Sequence, residues 1–350
     1  MSVTYSGDNI VFADGSTLAS GWTGFKNRII NGDMRIDQRN VGANTTPSTG
    51  TFTLDRWEAY SSQSSKFVVA RNISAVTPPA GFTNYLGVVS SSAYSVTSTD
   101  LFRVSQAIEG FNIADLAWGT AAAAPITISF WVRSSLTGPF GGALQNSANS
   151  RAYPFTYTIN ASNTWEYKTI VVPGETSGVW VTDNGMGLRV QFGLGLGSTK
   201  TQPAGLWYSG DANGANGSTS IVGTSGATWF VTGVQVEKGS VASSFDFRPY
   251  GTELALCQRY GWKCVSVMGK TSGAYDSYVP FVRLPVTMRA VPTSENASFA
   301  VSTGSAGTVT LLGNQTGITN SPDAVWIYNS AGNWTTGANF TLTAFFAAEI

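Results

Sequence analysis

The sequence contains no histidine, and this absence excludes several kinds of catalytic and metal site. Ser-His-Asp and Cys-His systems need an imidazole to accept and return a proton, and many zinc and iron sites need one as a ligand. Cysteine is nearly absent too, since Cys257 and Cys264 are the two in the chain. Two cysteines are too few for a disulfide scaffold or a complete zinc site, so we expect both to be small buried residues. We therefore expect no metal ion and no cofactor.

The chain has few charged residues and no excess of either sign. Asp, Glu, Lys and Arg make up 11% of the residues, against about 25% in typical soluble proteins. The 20 basic and 20 acidic side chains give a formal net charge of zero, and no basic tract stands out. Nucleic-acid binding needs clustered Lys and Arg to displace counterions from phosphates. We therefore exclude nucleic acid as a partner.

Long apolar runs are absent as well. No segment reaches about 18 uninterrupted apolar residues, so we expect no membrane insertion. Residues 1–14 lack the charged start and the apolar stretch of a secretory signal. The composition is nevertheless typical of extracellular β proteins. Because a secretory signal is not found and the composition still suits the outside of a cell, we expect the protein to be made in a cytoplasm and released when the cell lyses.

What the chain has instead is uncharged polar residues, 39 glycines and 13 prolines. Thr and aromatic side chains favour pleated sheets, and Gly and Pro favour the turns between strands. Apolar and polar residues alternate with a period of two, most clearly in Ile126–Ser134 and in residues 188–196. About ten such runs fall between residues 25 and 250. This pattern predicts an all-β fold of two packed antiparallel sheets, a jelly-roll β-sandwich or a related sandwich.

The patterns divide the chain into four parts. Residues 1–24 contain a short apolar run and an Asp-Gly turn, and we interpret them as an N-terminal attachment arm, although a frayed terminus would show the same pattern. Residues 25–250 form the predicted jelly roll. Residues 251–261 predict a short linker helix with Thr252 as its N-cap. Residues 262–350 return to the β pattern and predict a smaller C-terminal β domain of about six strands.

Because histidine is absent, acidic residues are the remaining candidates for catalysis. Glycoside hydrolysis needs two carboxylates that face each other across a cleft at a defined separation. Each candidate also has a structural alternative, such as a pair with the neighbouring Arg for Asp55 or a turn for Asp183. We therefore predict that the protein is not an enzyme. The acidic residues of the predicted jelly roll most relevant to catalysis are Asp55, Glu58, Glu109, Asp115, Asp183, Asp211, Glu237 and Asp246.

Residues 211–216, with the sequence DANGAN, are a candidate calcium loop because they offer several oxygen ligands within one turn. They lack the spacing of an EF-hand and its closing Glu. We therefore predict a plain Gly/Asn loop at this position.

Tryptophan is abundant, with 11 residues, and a flat aromatic ring can stack on the apolar face of a pyranose. The outward positions of two predicted strands carry one Trp, two Arg and one Gln, and a turn-rich segment adds a Trp-Tyr pair. We predict one carbohydrate-binding surface from these side chains, with the Trp-Tyr pair at its rim. The alternative is that the rings pack into the core or beneath a neighbouring subunit. The candidates are Trp131, Arg133, Arg189, Gln191, Trp207 and Tyr208.

Several segments of the chain show, in order, a likeness to known proteins. They are residues 25–40, 54–57, 106–110, 128–140, 163–170 and 231–260. Together they resemble a widespread group of tailed-bacteriophage virion proteins, the tail fibre or carbohydrate-binding-module-like jelly-roll group, and the likeness is most specific over residues 231–260. The chain departs from the group at Phe247, where a His is frequent, and at Gly261, where a second aromatic residue usually follows Tyr260.

The resemblance implies a multimeric structural protein on the surface of a virion. In this interpretation the chain is a tail fibre or spike subunit that binds host surface polysaccharide, assembles as a homotrimer and contacts other virion proteins through residues 1–24. One alternative is a capsid decoration, cement or head-fibre protein whose residues 1–24 hold the shell. A second alternative is a polysaccharide-degrading tailspike. The resemblance supplies no catalytic residues to carry over to this chain.

Overall fold

The architecture comes from a computed structural model. It describes residues 25–270, 278–301, 309–311, 321–329 and 339–350, together with three short strands within residues 1–24. Within these ranges, no helix has the length and apolar character needed to cross the hydrocarbon core of a bilayer.

Strands dominate the described chain. Near the N-terminus they are β1 (Thr4–Ser6), β2 (Asn9–Val11) and β3 (Thr17–Ala19). The central region contains β4 (Thr51–Phe52), β5 (Glu58–Ser61), β6 (Phe67–Arg71), β7 (Leu86–Ser90), β8 (Leu101–Glu109), β9 (Ile126–Ser134), β10 (Gly138–Gln145), β11 (Arg151–Ile159), β12 (Glu166–Val172), β13 (Met186–Leu196), β14 (Thr201–Gln202), β15 (Tyr208–Ser209), β16 (Gly214–Ala215) and β17 (Thr228–Lys238). The C-terminal region contains β18 (Gly261–Lys270), β19 (Tyr278–Arg283), β20 (Thr293–Val301), β21 (Val309–Leu311), β22 (Ala324–Asn329) and β23 (Asn339–Ala347).

Helical structure is sparse in the described residues. The α-helix α1 spans Tyr250–Gln258 and connects the central and C-terminal regions. Short 3₁₀ turns lie at Ile73–Ala75, Gly110–Asn112, Ala114–Leu116 and Ser198–Lys200.

Two antiparallel sheets form the central sandwich. One has seven strands in the order β15-β11-β10-β13-β8-β5-β4, and the other has five in the order β12-β9-β17-β7-β6. The chain changes sheet between β8 and β9, between β9 and β10, and on both sides of β12, which is the winding of a jelly roll. The predicted all-β fold, a jelly-roll sandwich followed by a smaller β region, is therefore confirmed.

The core lies between the two sheets and follows the period of two along each strand. Phe130 of β9 and Phe192 of β13 meet there edge to face, with ring centroids 5.0 Å apart. Burying a large apolar side chain of this kind contributes about 1.5–3 kcal/mol. The fully buried inward positions of these two strands are Ile126, Ile128, Phe130, Val132, Leu188, Val190, Phe192 and Leu194.

Smaller sheets precede and follow the sandwich in the chain. Strands β1, β2 and β3 pair in order as an antiparallel sheet within residues 1–24. In the C-terminal region, β23 lies between β18 and β20, and β22 lies between β19 and β21. The last strand of the chain is therefore an inner strand of its sheet.

Helix α1 begins two residues before the predicted cap. Pro249 occupies the N-cap position and Tyr250 is the first helical residue, so Thr252 lies inside the first turn and the prediction that it caps the helix is wrong. The extended backbone of Pro249 leads into the helix, and no side chain caps it. Glu253 stabilises the first turn, because an acidic side chain there suits the helix dipole. Its carboxylate accepts hydrogen bonds from the Asn31 N–H and from Arg248 Nη1.

Buried charges attach α1 and the end of the chain to the seven-stranded sheet. The Arg56 guanidinium forms an ion pair with Glu349 and lies over the Tyr260 ring, 3.5 Å from its centroid. At the end of β8, Glu109 accepts hydrogen bonds from Arg259 Nη2 and Tyr260 Oη, each at 2.5 Å. The C-terminal region thus contacts one end of this sheet.

Candidate functional site

The residues predicted to form one carbohydrate-binding surface lie on different sheets in the structure. Trp131 and Arg133 lie on β9 in the five-stranded sheet, whereas Arg189 and Gln191 lie on β13 in the seven-stranded sheet. The two strands face each other across the core, so their outward side chains point in opposite directions. The prediction of a single surface is therefore wrong, because the jelly-roll winding puts β9 and β13 in different sheets.

The outer face of the five-stranded sheet carries a groove of about 440 Å³, which we call the aromatic groove. It is lined by Phe82, Ser129, Trp131, Tyr167, Gly233, Ala242, Ser243, Ser244, Phe245 and Phe247.

Trp131 and Tyr167 form one side of the aromatic groove. They are directly opposite each other in the pairing of β9 with β12, and their ring centroids lie 5.4 Å apart with the planes tilted by 52°. Residues opposite each other on neighbouring strands point to the same face, so both rings are directed outward. Tyr167 is 44% exposed. The pair therefore presents aromatic surface to solvent.

Phe82, Phe245 and Phe247 form the other side. Their ring centroids are 4.7–5.3 Å apart, and Phe247 is 53% exposed. Phe82 packs directly over Gly233 of β17, where an added Cβ would lie 2.6 Å from the ring. Gly233 also has φ of +61°, a conformation that favours glycine. This glycine lets the phenylalanine cluster lie close to the strand.

Hydrogen bonds fix the segment that carries Phe245 and Phe247. The Glu237 carboxylate accepts hydrogen bonds from the Ser243 N–H at 2.8 Å and from Ser243 Oγ at 2.6 Å. Asp246 accepts a hydrogen bond from the Lys26 N–H at 2.8 Å. Because these contacts join the segment to β17 and to the start of the sandwich, the wall of the groove is preorganised.

Arg133 does not line the aromatic groove. Its Nε donates a hydrogen bond of 2.9 Å to the Asn163 carbonyl, and its guanidinium lies 5.5 Å from the centroid of Phe230. Of the predicted carbohydrate-binding residues, Trp131 alone lines the aromatic groove.

The outer face of the seven-stranded sheet is different, and we call it the polar face. Gln191 is completely buried there, donating to Gln145 Oε1 at 3.1 Å and accepting from Arg103 Nη1 at 2.6 Å. Arg103 also reaches Asn213 Oδ1 at 3.3 Å and Glu58 Oε2 at 3.5 Å. The polar face comprises Glu58, Arg103, Ser105, Gln145, Arg189 and Gln191 of the sheet, with Asp211 and Asn213 of the segment that covers it.

A covering segment explains why much of the polar face is buried. Residues 211–215 pack onto the sheet, and Ala212 and Ala215 are fully buried. A Cβ at Gly141 of β10 would lie 3.1 Å from the Ala215 nitrogen and 2.2 Å from Ser218 Oγ. Gln191 is therefore held inside a hydrogen-bonded network beneath this segment.

The Trp-Tyr pair predicted as a rim is divided between interior and surface. Trp207 turns inward, with ring centroids 5.3 Å from Trp118 and 5.1 Å from Tyr153, and its Nε1 donates to the Pro173 carbonyl at 2.9 Å. Its assignment to a binding rim is corrected to a packing role. Tyr208 is paired with Ala152 of β11 and stays partly exposed at the edge of the seven-stranded sheet.

The eight candidate carboxylates all contact other groups of the chain. Asp55 is buried and accepts hydrogen bonds from the Gln38 N–H and Nε2 at 2.6 and 2.8 Å. Its burial raises its pKa to about 6, although the Gln38 hydrogen bonds act to lower it. The other pairs are Glu58 with Ser105, Glu109 with Arg259, Asp115 with Arg28, Asp183 with the Gly185 N–H, Asp211 with Lys200, Glu237 with Ser243 and Asp246 with the Lys26 N–H. Each carboxylate thus has a structural contact.

The candidate calcium loop is occupied by protein contacts. Asp211 accepts hydrogen bonds from Gln145 Nε2 at 2.6 Å, from Asn213 Nδ2 at 2.9 Å and from Lys200 Nζ at 3.1 Å. In the described ranges, no three His, Cys, Asp or Glu side chains are grouped so as to hold a metal ion.

Sequence reasoning missed most of the aromatic groove. Tyr167 carried a usable signal, because it is an outward position of the alternating strand β12. Phe82, Phe245 and Phe247 lie outside the strands, where no periodicity indicates direction.

Similar solved structures are distant in sequence. No protein-family model matches the chain, and no curated protein matches it significantly. A putative sugar binding protein from Bacteroides thetaiotaomicron is 11% identical at a TM-score of 0.35, with 61% of this chain and 100% of that chain covered. A family 11 carbohydrate-binding module from Clostridium thermocellum, in complex with a β-1,3-1,4-mixed-linked tetrasaccharide, is 15% identical at a TM-score of 0.27, with 57% and 98% covered.

A phage protein is also among the similar structures. The enzymatically active domain of tailspike protein 4 of bacteriophage CBA120 is 12% identical at a TM-score of 0.31. The match covers 61% of this chain, and this chain spans 21% of the tailspike domain.

Proposed function

We propose that the protein is a non-enzymatic, carbohydrate-binding structural protein of a tailed-bacteriophage virion and that it holds sugar in the aromatic groove. The observation that carries this proposal is the open groove bounded by Trp131, Tyr167 and Phe247, of which Tyr167 and Phe247 are 44% and 53% exposed. Exposed rings of this size cost free energy in water. A ligand with an apolar face would remove that cost by covering them.

The chemistry of the groove suits a saccharide. A pyranose presents C–H groups on one face, which stack on aromatic rings, and hydroxyls at its edge, which need hydrogen-bond partners. Ser243 and Ser244 also line the groove, and Ser244 is exposed. The volume of about 440 Å³ falls in the range of small-ligand sites, roughly 300–1,000 Å³.

The rigidity of the groove supports binding as well. Glu237 fixes Ser243, and the Trp131–Tyr167 pair is fixed by the pairing of β9 with β12. Because few side chains would have to become ordered when a sugar binds, little affinity is lost to conformational entropy.

We propose binding without catalysis because the candidate carboxylates are all engaged by other groups of the chain. Every candidate acid is held by a hydrogen bond or ion pair within the chain, as Asp55 is by Gln38 and Glu109 is by Arg259. Glycoside hydrolysis would need two acids free to act on a sugar from both sides. Incubation with a bacterial capsular polysaccharide should therefore leave its viscosity unchanged, whereas a depolymerising tailspike would lower it.

The virion assignment is supported by the sequence resemblance. We place the protein on the virion surface as a tail fibre or spike subunit that binds host surface polysaccharide, with residues 1–24 contacting other virion proteins and three copies forming the assembly. A capsid decoration or head-fibre protein is the alternative. Negative-stain microscopy of particles with a labelled antibody separates the two, since label on the tail supports the proposal and label on the head supports the alternative. Light scattering that gives the 36.9 kDa monomer mass would contradict the trimer.

Sugar binding is tested by screening the full chain on an array of neutral and acidic oligosaccharides and titrating the best one by calorimetry. Trp131→Ala and Tyr167→Ala should each weaken binding about tenfold or more. Phe111→Ala is the matched control, because it removes a ring that is 60% exposed and lies outside the groove. Equal affinities for all four proteins would contradict the proposal.

A further inference from the structure

Arg189 stands apart from most of the arginines in the described part of the chain. It is half-buried in the middle of the polar face, between Ala107 of β8 and Gln145 of β10. No carboxylate of the described residues lies within 4.0 Å of it, whereas Arg103 and Arg151 on the same sheet both have one. Its hydrogen bond is a long one, 3.5 Å from Nη1 to Asn149 Oδ1.

The remaining donors of Arg189 form one edge of the guanidinium. Nε and Nη2 have no hydrogen-bond partner among the described residues, and neither atom is sealed from solvent. These two N–H groups point in parallel, which is the arrangement that binds the two oxygens of a carboxylate. An oxyanion would therefore bind at the Nε–Nη2 edge, which has no partner among the described residues.

Burial lowers the pKa of Arg189, and the neighbouring carboxylates Glu58 and Asp211 act to raise it, but each of them already forms an ion pair with another basic side chain. Glu58 accepts from Ser105 Oγ at 3.0 Å and pairs with Arg103, and Asp211 pairs with Lys200 at 3.1 Å. Burial and the positive charge of Arg189 together lower the pKa of Arg103 to about 10, although Glu58 acts to raise it. With two arginines close together and their nearest acids already paired, an added negative charge would be stabilised at Arg189.

We propose that Arg189 is a second saccharide site, which binds the carboxylate of an acidic sugar through its Nε and Nη2 groups. This inference rests on the proposed carbohydrate binding but uses the sheet opposite the aromatic groove. Asn149, in the turn between β10 and β11, accepts a hydrogen bond from the third nitrogen, Nη1, which leaves the Nε–Nη2 edge for the ligand. The ligand class is a uronate-containing saccharide.

The test uses the full chain and two probes: a tetramer of galacturonate and the same tetramer with its carboxyl groups reduced to alcohols. Calorimetry should show binding of the acidic tetramer that weakens with added salt, because the interaction is ionic. Arg189→Gln should reduce this affinity about 10- to 100-fold, since a hydrogen bond to a charged group is worth about 1.5–3 kcal/mol. Arg189→Lys should lose part of it, because Lys keeps the charge without the paired donors.

The matched control is Arg133→Gln, which removes the same charge from the other sheet and should leave the affinity for the acidic tetramer unchanged. Thermal melts establish that each variant is folded. The inference is overturned if Arg189→Gln binds the acidic tetramer as the wild type does, or if the reduced tetramer binds as tightly as the acidic one in an Arg189-dependent way. Trp131→Ala separates the two proposals, because it affects neutral saccharides at the aromatic groove and leaves the Arg189 site intact.

Discussion

The two outer faces of the sandwich differ in how they treat their polar and aromatic side chains. The seven-stranded sheet buries polar groups in a network around Gln191 and covers them with residues 211–215. The five-stranded sheet leaves Tyr167 and Phe247 exposed beside a groove. Buried polar groups must be paired to be tolerated, so the first face contributes to stability. Exposed aromatic rings contribute little to stability, which makes the second face the better candidate for stacking against a sugar ring.

The largest effect should come from breaking the network of the polar face. Arg103→Ala leaves Gln191 Oε1 and Asn213 Oδ1 without their donor, and we expect it to reduce the free energy of unfolding by about 3 kcal/mol. Urea denaturation measures this loss. Arg133→Ala, the same truncation on the other sheet, should cost about 1 kcal/mol, because it removes a hydrogen bond to Asn163 near the surface. Equal losses for the two variants would remove the distinction between the faces.

The pH dependence of stability should show the buried carboxylate beside the seven-stranded sheet. Burial raises the pKa of Asp55 to about 6 from an ordinary value of 3.8, so the folded state binds its proton more tightly than the unfolded state. The stability from this group is present below pH 3.8 and is lost as the pH rises through 6, on the order of 2–3 kcal/mol. Asp55→Asn should flatten the wild-type curve in this window. An unchanged slope would show that Asp55 titrates as it does in water.

Removal of the groove tryptophan should affect binding more than stability. Trp131→Ala deletes the contact with Tyr167, and we expect a loss of about 1 kcal/mol in unfolding free energy. Saccharide affinity should fall about tenfold or more. Thermal melts and calorimetry on one preparation compare the two. A variant that melts much lower yet binds normally would identify Trp131 as a packing residue.

A smaller pH effect of opposite sign is expected on the five-stranded sheet. Although partial burial acts to raise it, the hydrogen bonds from Lys168 and from the Ala161 and Asn160 N–H groups lower the pKa of Glu166 to about 2 from 4.5. The stability from this group is present above pH 4.5 and is lost as the pH falls towards 2. Glu166→Gln should therefore be less stable than the wild type at pH 6, with the difference shrinking by pH 3. A constant difference would contradict the assignment.

The strands and their core faces could be predicted from the sequence because they depend on local periodicity. Phe130 and Phe192 are buried as the alternation in β9 and β13 requires. The neighbours of each strand could not be predicted in this way, because pairing in a jelly roll joins residues far apart in the chain. That is why Trp131 and Arg189 seemed to share a surface.

Loop and edge residues escaped prediction for a related reason. Trp207 turns inward because Trp118 and Tyr153 offer it aromatic contacts, and nothing in its own segment indicates those partners. Phe245 and Phe247 reach the groove because Glu237 accepts a hydrogen bond from Ser243 and Gln235 accepts one from the Asp246 N–H, which fixes their segment. No periodicity in the sequence indicates these contacts.

The most direct measurement is a crystal structure of the full chain soaked with the neutral saccharide that binds best on the array. We expect a sugar ring stacked in the aromatic groove against Trp131 and Tyr167, with its hydroxyls near Ser243 and Ser244. A saccharide bound elsewhere with the groove empty would contradict the proposed function.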